Sequence, residues 1–281
     1  MVYRLLVLDI DGTILRSNYR IDKAVKEAID YVRRKGVYVT LATRRHYSSA
    51  KKVAKALKID SILITHNGAF VANDMNNPLY VERILEDEVD GITKLFEMND
   101  CHVRIKHERF SLANRIKQNQ EVIARMTVGD PIFYPINFTD ELNEYVNKSP
   151  ISPLQIEAFF DDKLEGQVLK QAVSERLSTV DVHMYEDNRI EIVRRNVTKA
   201  RAMLKLAKHF GIAQEEIVAV GDSEADIDMI REAGLGVAMG NASREVKQHA
   251  DWITRSNDQN GVAYMMKEVF RKQLRIQIRS F

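Results

Sequence analysis

Leu5-Leu6-Val7-Leu8-Asp9-Ile10-Asp11-Gly12-Thr13 is the stretch from which the rest of the chain is read. Four apolar residues run straight into two carboxylates, a glycine and a hydroxyl. A short continuous apolar run reads as a strand buried on both faces, the habit of parallel sheets. In open α/β sheets the ligand crevice lies beyond the carboxyl ends of the strands. Asp9 and Asp11 are therefore predicted to project into such a crevice, with Gly12 letting the backbone turn there.

Two carboxylates at this spacing can share a cation and still do different work. One can act as a nucleophile toward a phosphoryl group. The other can carry a proton if its pKa is raised. Mg²⁺ with oxygen ligands suits the negative charge that such chemistry brings. Taken alone, the stretch is equally an Asp-Gly turn that ends an ordinary strand.

The same pattern recurs along the chain. Ile21 to Lys35 has helical spacing, with Ala24, Val25, Ala28, Ile29 and Val32 on one face and Gly36 as the stop. Val37 to Ala42 reads as a second buried strand, ending at Thr43-Arg44-Arg45. Ser61 to Ile64 reads as a third, ending at Asn67-Gly68. Much later, Ile217-Val218-Ala219-Val220 delivers Gly221-Asp222-Ser223-Glu224-Ala225-Asp226 in the same way. Strands alternating with helices predict a parallel sheet covered on both faces.

Between these halves the pattern changes. A hairpin over Phe70 to Val81 leads to a helix over Leu85 to Met98 and strands at Cys101 to Ile105, Ile156 to Phe160 and Val180 to Tyr185. Phe110 to Ser152 reads as irregular, and Arg189 to Val193 as the strand that returns to the parallel sheet. The predicted organisation is an α/β, Rossmann-like three-layer core with an inserted α+β cap. Residues 1–82 and 188–281 form the core and 83–187 the cap.

The totals narrow the partners. The 42 basic and 40 acidic side chains leave a net charge of +2, which gives no electrostatic reason for nucleic acid or an anionic membrane as partner. The basic stretch Arg271 to Arg279 reads as an edge strand or a solvated tail. Cys101 is the single cysteine, so no intramolecular disulfide forms, and core packing is its expected role. No apolar run approaches the length of a bilayer span and no signal peptide is visible, so a cytoplasmic protein is expected. His46, His66 and His107 lack metal-ligand spacing and read as surface or loop residues. Arg104, Lys106, His107 and Arg109 either line a face of the inserted region or form a solvated edge.

Four separated motifs, in this order and spanning nearly the whole chain, make the sequence resemble the haloacid dehalogenase superfamily of phosphohydrolases. Within it, the sequence looks like the Cof-type branch with a C2-type cap. The resemblance rests on Asp9-Ile10-Asp11-Gly12-Thr13, on Thr43, on Lys199, and on Asp222 with Asp226. It implies a Mg²⁺-dependent phosphomonoester hydrolase that works through an aspartyl-phosphate on Asp9, with Asp11 as general acid and base. It implies metal ligation by Asp9, the backbone carbonyl of Asp11, and Asp222. Phosphate contacts would come from the backbone of Ile10, from Thr43 and from Lys199. Asp226 would support the metal site, and Asn67 the loop that closes the first half of the core. The implied substrate is a small phosphorylated metabolite, a sugar phosphate or phosphorylated cofactor, chosen by the cap as it closes and excludes water.

Three positions depart from the family pattern. Arg44 replaces a glycine after the threonine, and either narrows the site or adds a charge facing phosphate. Ala200 replaces a glycine to little expected effect. Ala225 replaces an asparagine that contacts phosphate. One such hydrogen bond in a charge-dense site is worth about 1.5–3 kcal/mol, on the order of a tenfold to hundredfold in rate. A phosphomutase and a catalytically weakened phospholigand-binding protein are the alternatives.

Overall fold

The structure is a computed structural model that describes residues 2–99, 101–115, 136–185 and 188–275. It divides into two compact units. One comprises Met1–Arg44, Ala50–Leu79 and Thr198–Phe281; the other comprises Arg45–Ser49 and Tyr80–Val197.

The first unit is built on a parallel sheet. Its strands lie in the order Trp252–Ile253, Leu235–Ala238, Ile217–Gly221, Leu5–Leu8 and Tyr38–Leu41. Leu5, Leu6, Val7, Leu8 and Ile217 to Val220 have no exposed surface, as strands covered on both faces require. The register aligns the strand ends. Leu8 pairs with both Val220 and Leu41. A parallel bridge from Ala42 to Ile64 then brings Leu63–Thr65 alongside, and that strand starts an antiparallel sheet with Phe70–Asp74 and Asn77–Val81. Helices Lys23–Arg34 and Lys199–His209 bury Val25, Ala28, Ile29 and Val32, and Ala202, Met203 and Leu206.

The end of the described chain is tied down by Lys35, whose Nζ donates to the Arg271 and Gln273 carbonyls, and by the Gln273 side chain. Gln273 accepts from Tyr3 N–H at 2.9 Å and donates to the Tyr3 carbonyl at 2.8 Å. No strand forms over 271–275. The rest of the basic stretch, residues 276–281, lies outside the described residues.

The second unit carries a sheet in the order Val180–Tyr185, Arg189–Arg194, Gln155–Phe159, His102–Lys106, Ser111–Asn114, Ile136–Thr139. Neighbours are antiparallel except the last pair. One face presents Val103, Ile105, Leu112, Ile156, Ala158, Ile190 and Ile192 to a core shared with Phe96, Val146 and Leu169 of the helices Glu86–Glu97, Leu142–Lys148 and Lys163–Arg176. Cys101 is buried in that core, as expected.

Two expectations are corrected here. Phe110 to Ser152 is not irregular where it is described: it supplies Ser111–Asn114, Ile136–Thr139 and Leu142–Lys148. These elements are too short for periodicity to show: Ser111–Asn114 forms by pairing with His102–Lys106, Ile136–Thr139 by pairing with Ser111–Asn114, and Leu142–Lys148 by burying Leu142 and Val146. Arg189–Arg194 does not return to the parallel sheet but pairs with Gln155–Phe159 and Val180–Tyr185. Its alternation of Arg189 and Glu191 with Ile190 and Ile192 suits a sheet with one apolar face, not a strand covered by apolar residues on both sides.

Candidate active site

Three strand ends deliver side chains to one edge of the parallel sheet. Asp9 N–H donates to the Val220 carbonyl at 3.0 Å, and Ala42 N–H donates to the Leu8 carbonyl at 2.9 Å. Asp9, Thr43 and Asp222 therefore leave the sheet within two residues of the same level. Beyond Asp9, the Ile10 carbonyl accepts from Ile14 and Leu15 N–H, which folds the chain back at once.

Lys199 is the hub of the buried charges. Its Nζ lies 2.7 Å from Asp9 Oδ1 and 2.7 Å from Asp226 Oδ1. Lys199 is 1% exposed, Asp9 5% and Asp226 0%, so these ion pairs are nearly shut off from solvent. The helix Lys199–His209 begins at this point because the Thr198 side chain accepts from Arg201 N–H at 3.1 Å. A lysine in a first helical turn opposes the helix dipole; the two carboxylates offset that.

Asp226 also braces the turn after Ile217–Gly221. Its Oδ2 accepts from Asp222 N–H at 3.2 Å, Ser223 N–H at 3.0 Å and Ser223 Oγ at 2.8 Å. Thr13 Oγ1 donates to Asp222 Oδ1 at 2.8 Å. Gly12 has φ of +76°, and a β-carbon there would stand 2.1 Å from Asp222 Oδ2, so only glycine fits. The Gly12 carbonyl accepts from Asn241 Nδ2 at 2.9 Å.

The electrostatics follow from burial. Desolvation, opposed by Lys199 and reinforced by Asp226 and Asp222, pushes the Asp9 carboxyl up to about 8. Burial and the neighbouring Asp226 push Asp222 up to about 6 against the Thr13 hydrogen bond. Burial alone would raise Asp226, but Lys199 outweighs it and holds that carboxyl below its usual range. Burial would likewise lower Lys199, but Asp226 and Asp9 hold it above its ordinary value. Three carboxylates thus face one ammonium. One oxygen from each of Asp9, Asp222 and Asp226 falls within 4.8 Å of the others, a hard, all-oxygen set that fits a divalent cation.

Of the predicted residues, the structure brings Asp9, Lys199, Asp222 and Asp226 into contact or close grouping. Asp11 is exposed and stands outside that grouping. Ile10 is buried. Thr43 is buried, with its N–H bonded to the Ile64 carbonyl at 2.9 Å, and Arg44 after it is exposed. Asn67 adopts a left-handed conformation, φ 56°, and its N–H donates to the Thr43 carbonyl at 3.1 Å. Ala225 is half-buried in the turn Glu224–Asp226. Against expectation, His46 and His66 are buried, at 2% and 0% exposure; they sit where loops leave buried strands. The sequence reading gave no role to Thr13, Ser223 or Asn241. The available signal for Asn241 was Gly240-Asn241 directly after a further buried strand.

The family of haloacid dehalogenase-like hydrolases matches residues 6–266. The chain is 42% identical over 277 residues to the stress response protein YhaX of Bacillus subtilis, covering 98% of this chain and 96% of that one. It is 32% identical over 262 residues to the B. subtilis 5-amino-6-(5-phospho-D-ribitylamino)uracil phosphatase YcsE, covering 92% and 93%. The crystal structure of TM0651 from Thermotoga maritima superimposes with a TM-score of 0.81 at 29% identity, covering 95% and 97%. Among the described residues no helix is long and apolar enough to cross a membrane.

Proposed function

This chain belongs to the haloacid dehalogenase-like hydrolases and is a phosphatase of their Cof type, and from that premise we propose that it hydrolyses a small phosphorylated metabolite through a phosphoryl group carried on Asp9. The observation that carries the reading is the buried Asp9 carboxylate, held by Lys199 at 2.7 Å and grouped with Asp222 at the edge of the parallel sheet.

In the first step an Asp9 oxygen attacks phosphorus, the ester bond breaks, and the leaving oxygen takes a proton from Asp11. In the second, water attacks the phosphoryl group, Asp11 takes the proton back, and phosphate leaves with the Asp9 carboxylate restored. Lys199 keeps the Asp9 oxygen oriented and offsets charge as it builds up. Asp9, the Asp11 carbonyl and Asp222 are the ligands for Mg²⁺, which when bound supplies positive charge against the phosphoryl oxygens. Asp226 holds Lys199 and the Asp222 backbone in place. Thr43, Arg44, Lys199 and the Ile10 N–H are the phosphate contacts, and Asn67 fixes the Thr43 loop through its backbone. The second unit, Arg45–Ser49 with Tyr80–Val197, is the cap that chooses the substrate. The relative YcsE, named as a phosphatase of a phosphorylated ribitylaminouracil, supports a phosphorylated sugar or cofactor precursor as the substrate class.

Ala225 supports a second reading, a phospholigand-binding protein in which turnover has declined. Phosphate release from p-nitrophenyl phosphate and a panel of metabolite phosphates, with Mg²⁺ and with EDTA, separates the two. Metal-dependent release that Asp9→Asn lowers by on the order of 10⁴ or more is the expected result. Release that persists in Asp9→Asn would rule out the nucleophile. No release from wild type or from Ala225→Asn, with binding retained, would favour the second reading.

A further inference from the structure

The turn that carries Asp11 is held by two asparagines from a distant part of the same unit. Past the strand Leu5–Leu8 the chain folds back, with Ile14 and Leu15 N–H both donating to the Ile10 carbonyl and Asp11 bridging to Leu15. Side-chain amides take two carbonyls of this turn. Asn241 Nδ2 donates to the Gly12 carbonyl at 2.9 Å, and Asn257 Nδ2 donates to the Leu15 carbonyl at 2.9 Å. The two asparagines are joined in turn, since Asn257 N–H donates to Asn241 Oδ1 at 2.9 Å. One hydrogen-bonded path therefore runs from Gly12 through Asn241 and Asn257 to Leu15. Just beyond it, Asp258 accepts from Ser17 N–H at 3.0 Å and from Ser17 Oγ at 2.7 Å.

The clamp is itself anchored. Asn241 comes soon after the strand Leu235–Ala238, and Gly240 N–H donates to the Arg255 carbonyl at 3.0 Å. A β-carbon at Gly240 would stand 2.7 Å from Ser256 N, so the two segments meet backbone to backbone. Gly261 N–H donates to the Ser256 carbonyl at 2.9 Å and closes the loop that bears Asn257. Asn241 has to donate on one side and accept on the other. An amide does both at once, whereas alanine does neither and an ionised aspartate only accepts.

The proposed chemistry needs this restraint at Asp11. Asp9 and Asp222 are fixed by Lys199 and Thr13. Asp11 is exposed and precedes a glycine, where the backbone is least restricted. A proton carrier works only within hydrogen-bond reach of its target, and a misplacement of about 1 Å can cost about a hundredfold in rate. We propose that Asn241 and Asn257 are positioning residues that act through Asp11, holding its turn so that the carboxyl reaches the leaving oxygen; this rests on the proton-carrying role proposed above. In that step an Asp9 oxygen bonds to phosphorus, the ester P–O bond breaks, and the leaving oxygen keeps the electron pair and takes the Asp11 proton.

The test compares phenyl phosphate with p-nitrophenyl phosphate at saturating Mg²⁺. Both bring an aryl ring, but phenolate is the poorer leaving group and depends more on the proton. A residue that only supports the fold lowers both alike. Asn241→Ala is expected to lower kcat/KM for phenyl phosphate by about tenfold or more, and for p-nitrophenyl phosphate by less than about threefold. Asn257→Ala keeps the N–H to Asn241 and should shift the ratio the same way by a smaller factor. In an Asp11→Asn background, Asn241→Ala should leave the ratio unchanged, as expected of a residue that acts through Asp11. Amide exchange in EDTA supplies a readout without turnover: Ile14 and Leu15 N–H should exchange about tenfold faster in Asn241→Ala, with the helix Lys23–Arg34 unaffected. Equal losses on the two esters, a ratio that still shifts in the Asp11→Asn background, or unchanged exchange at Ile14 and Leu15 would each overturn the proposal. Wild type that releases phosphate from neither ester removes the hydrolytic reading, while exchange at Ile14 and Leu15 still decides whether the asparagines hold the turn.

Discussion

The strand Leu5–Leu8 and the strand Arg189–Arg194 both lie inside a sheet, yet they place charge differently. The first is apolar throughout, and its carboxylate comes only after the last sheet residue, at Asp9. The second alternates, so Glu191 sits within the sheet between two buried isoleucines. A strand covered on both faces has no place for a charge except at its end. A strand covered by apolar residues on one face can present charge along its whole length. The parallel sheet therefore concentrates its chemistry at one edge, where Asp9, Asp222 and Lys199 meet, and the second sheet spreads polar groups over a face.

Breaking that edge cluster has the largest expected effect. Lys199→Met leaves Asp9 and Asp226 buried without their cation, and is predicted to cost about 3–5 kcal/mol of stability, measured by denaturant unfolding in EDTA. A loss under 1 kcal/mol would mean that the cluster relaxes on losing Lys199.

Adjacent residues in the second sheet should behave oppositely. Ile192→Ala is predicted to cost about 2–5 kcal/mol, because Ile192 is buried against the helices of its unit. Glu191→Gln, one residue away, should be neutral or stabilising. In Leu5–Leu8 no such alternation is expected: Val7→Ala and Leu8→Ala should both destabilise, since both are fully buried. A tolerated Val7→Ala would break the comparison.

Replacing Ala225 tests the edge more finely. If the missing hydrogen bond slows turnover, Ala225→Asn should raise the rate by about tenfold, read as kcat on p-nitrophenyl phosphate. An unchanged kcat would show that this position does not limit the reaction.

The smallest expected effect is in pH. The raised Asp9 and Asp222 carboxyls keep protons in the folded chain that the unfolded chain has released. Their contribution to stability is therefore present in acid and lost as pH rises from about 4 through 6 for Asp222 and toward 8 for Asp9. Metal-free protein should unfold at a lower temperature at pH 8 than at pH 5. Because a cation takes the place of those protons, added Mg²⁺ should raise the unfolding temperature more at pH 8. An unfolding temperature that climbs from pH 5 to pH 8 in EDTA would contradict the raised carboxyls.

By itself the sequence determined the parallel core and the carboxylates that follow its strands. Continuous apolar strands leave one reading, and a carboxylate placed straight after such a strand has only the sheet edge to occupy. Asp9, Asp222, Asp226 and Lys199 were legible for that reason, together with the order of their motifs. Tertiary structure alone decided what depends on pairing between distant segments. The lysine is shared by two carboxylates because a helix start 190 residues later meets the first strand. Thr13 holds Asp222, and Asn241 holds Gly12, across similar gaps. In the second sheet, short strands with mixed residues carry little local signal. Only their register shows that Arg189–Arg194 belongs there and that Glu191 lies opposite Glu157; among the described residues Glu157 is paired and the Glu191 carboxylate oxygens have no hydrogen-bond partner.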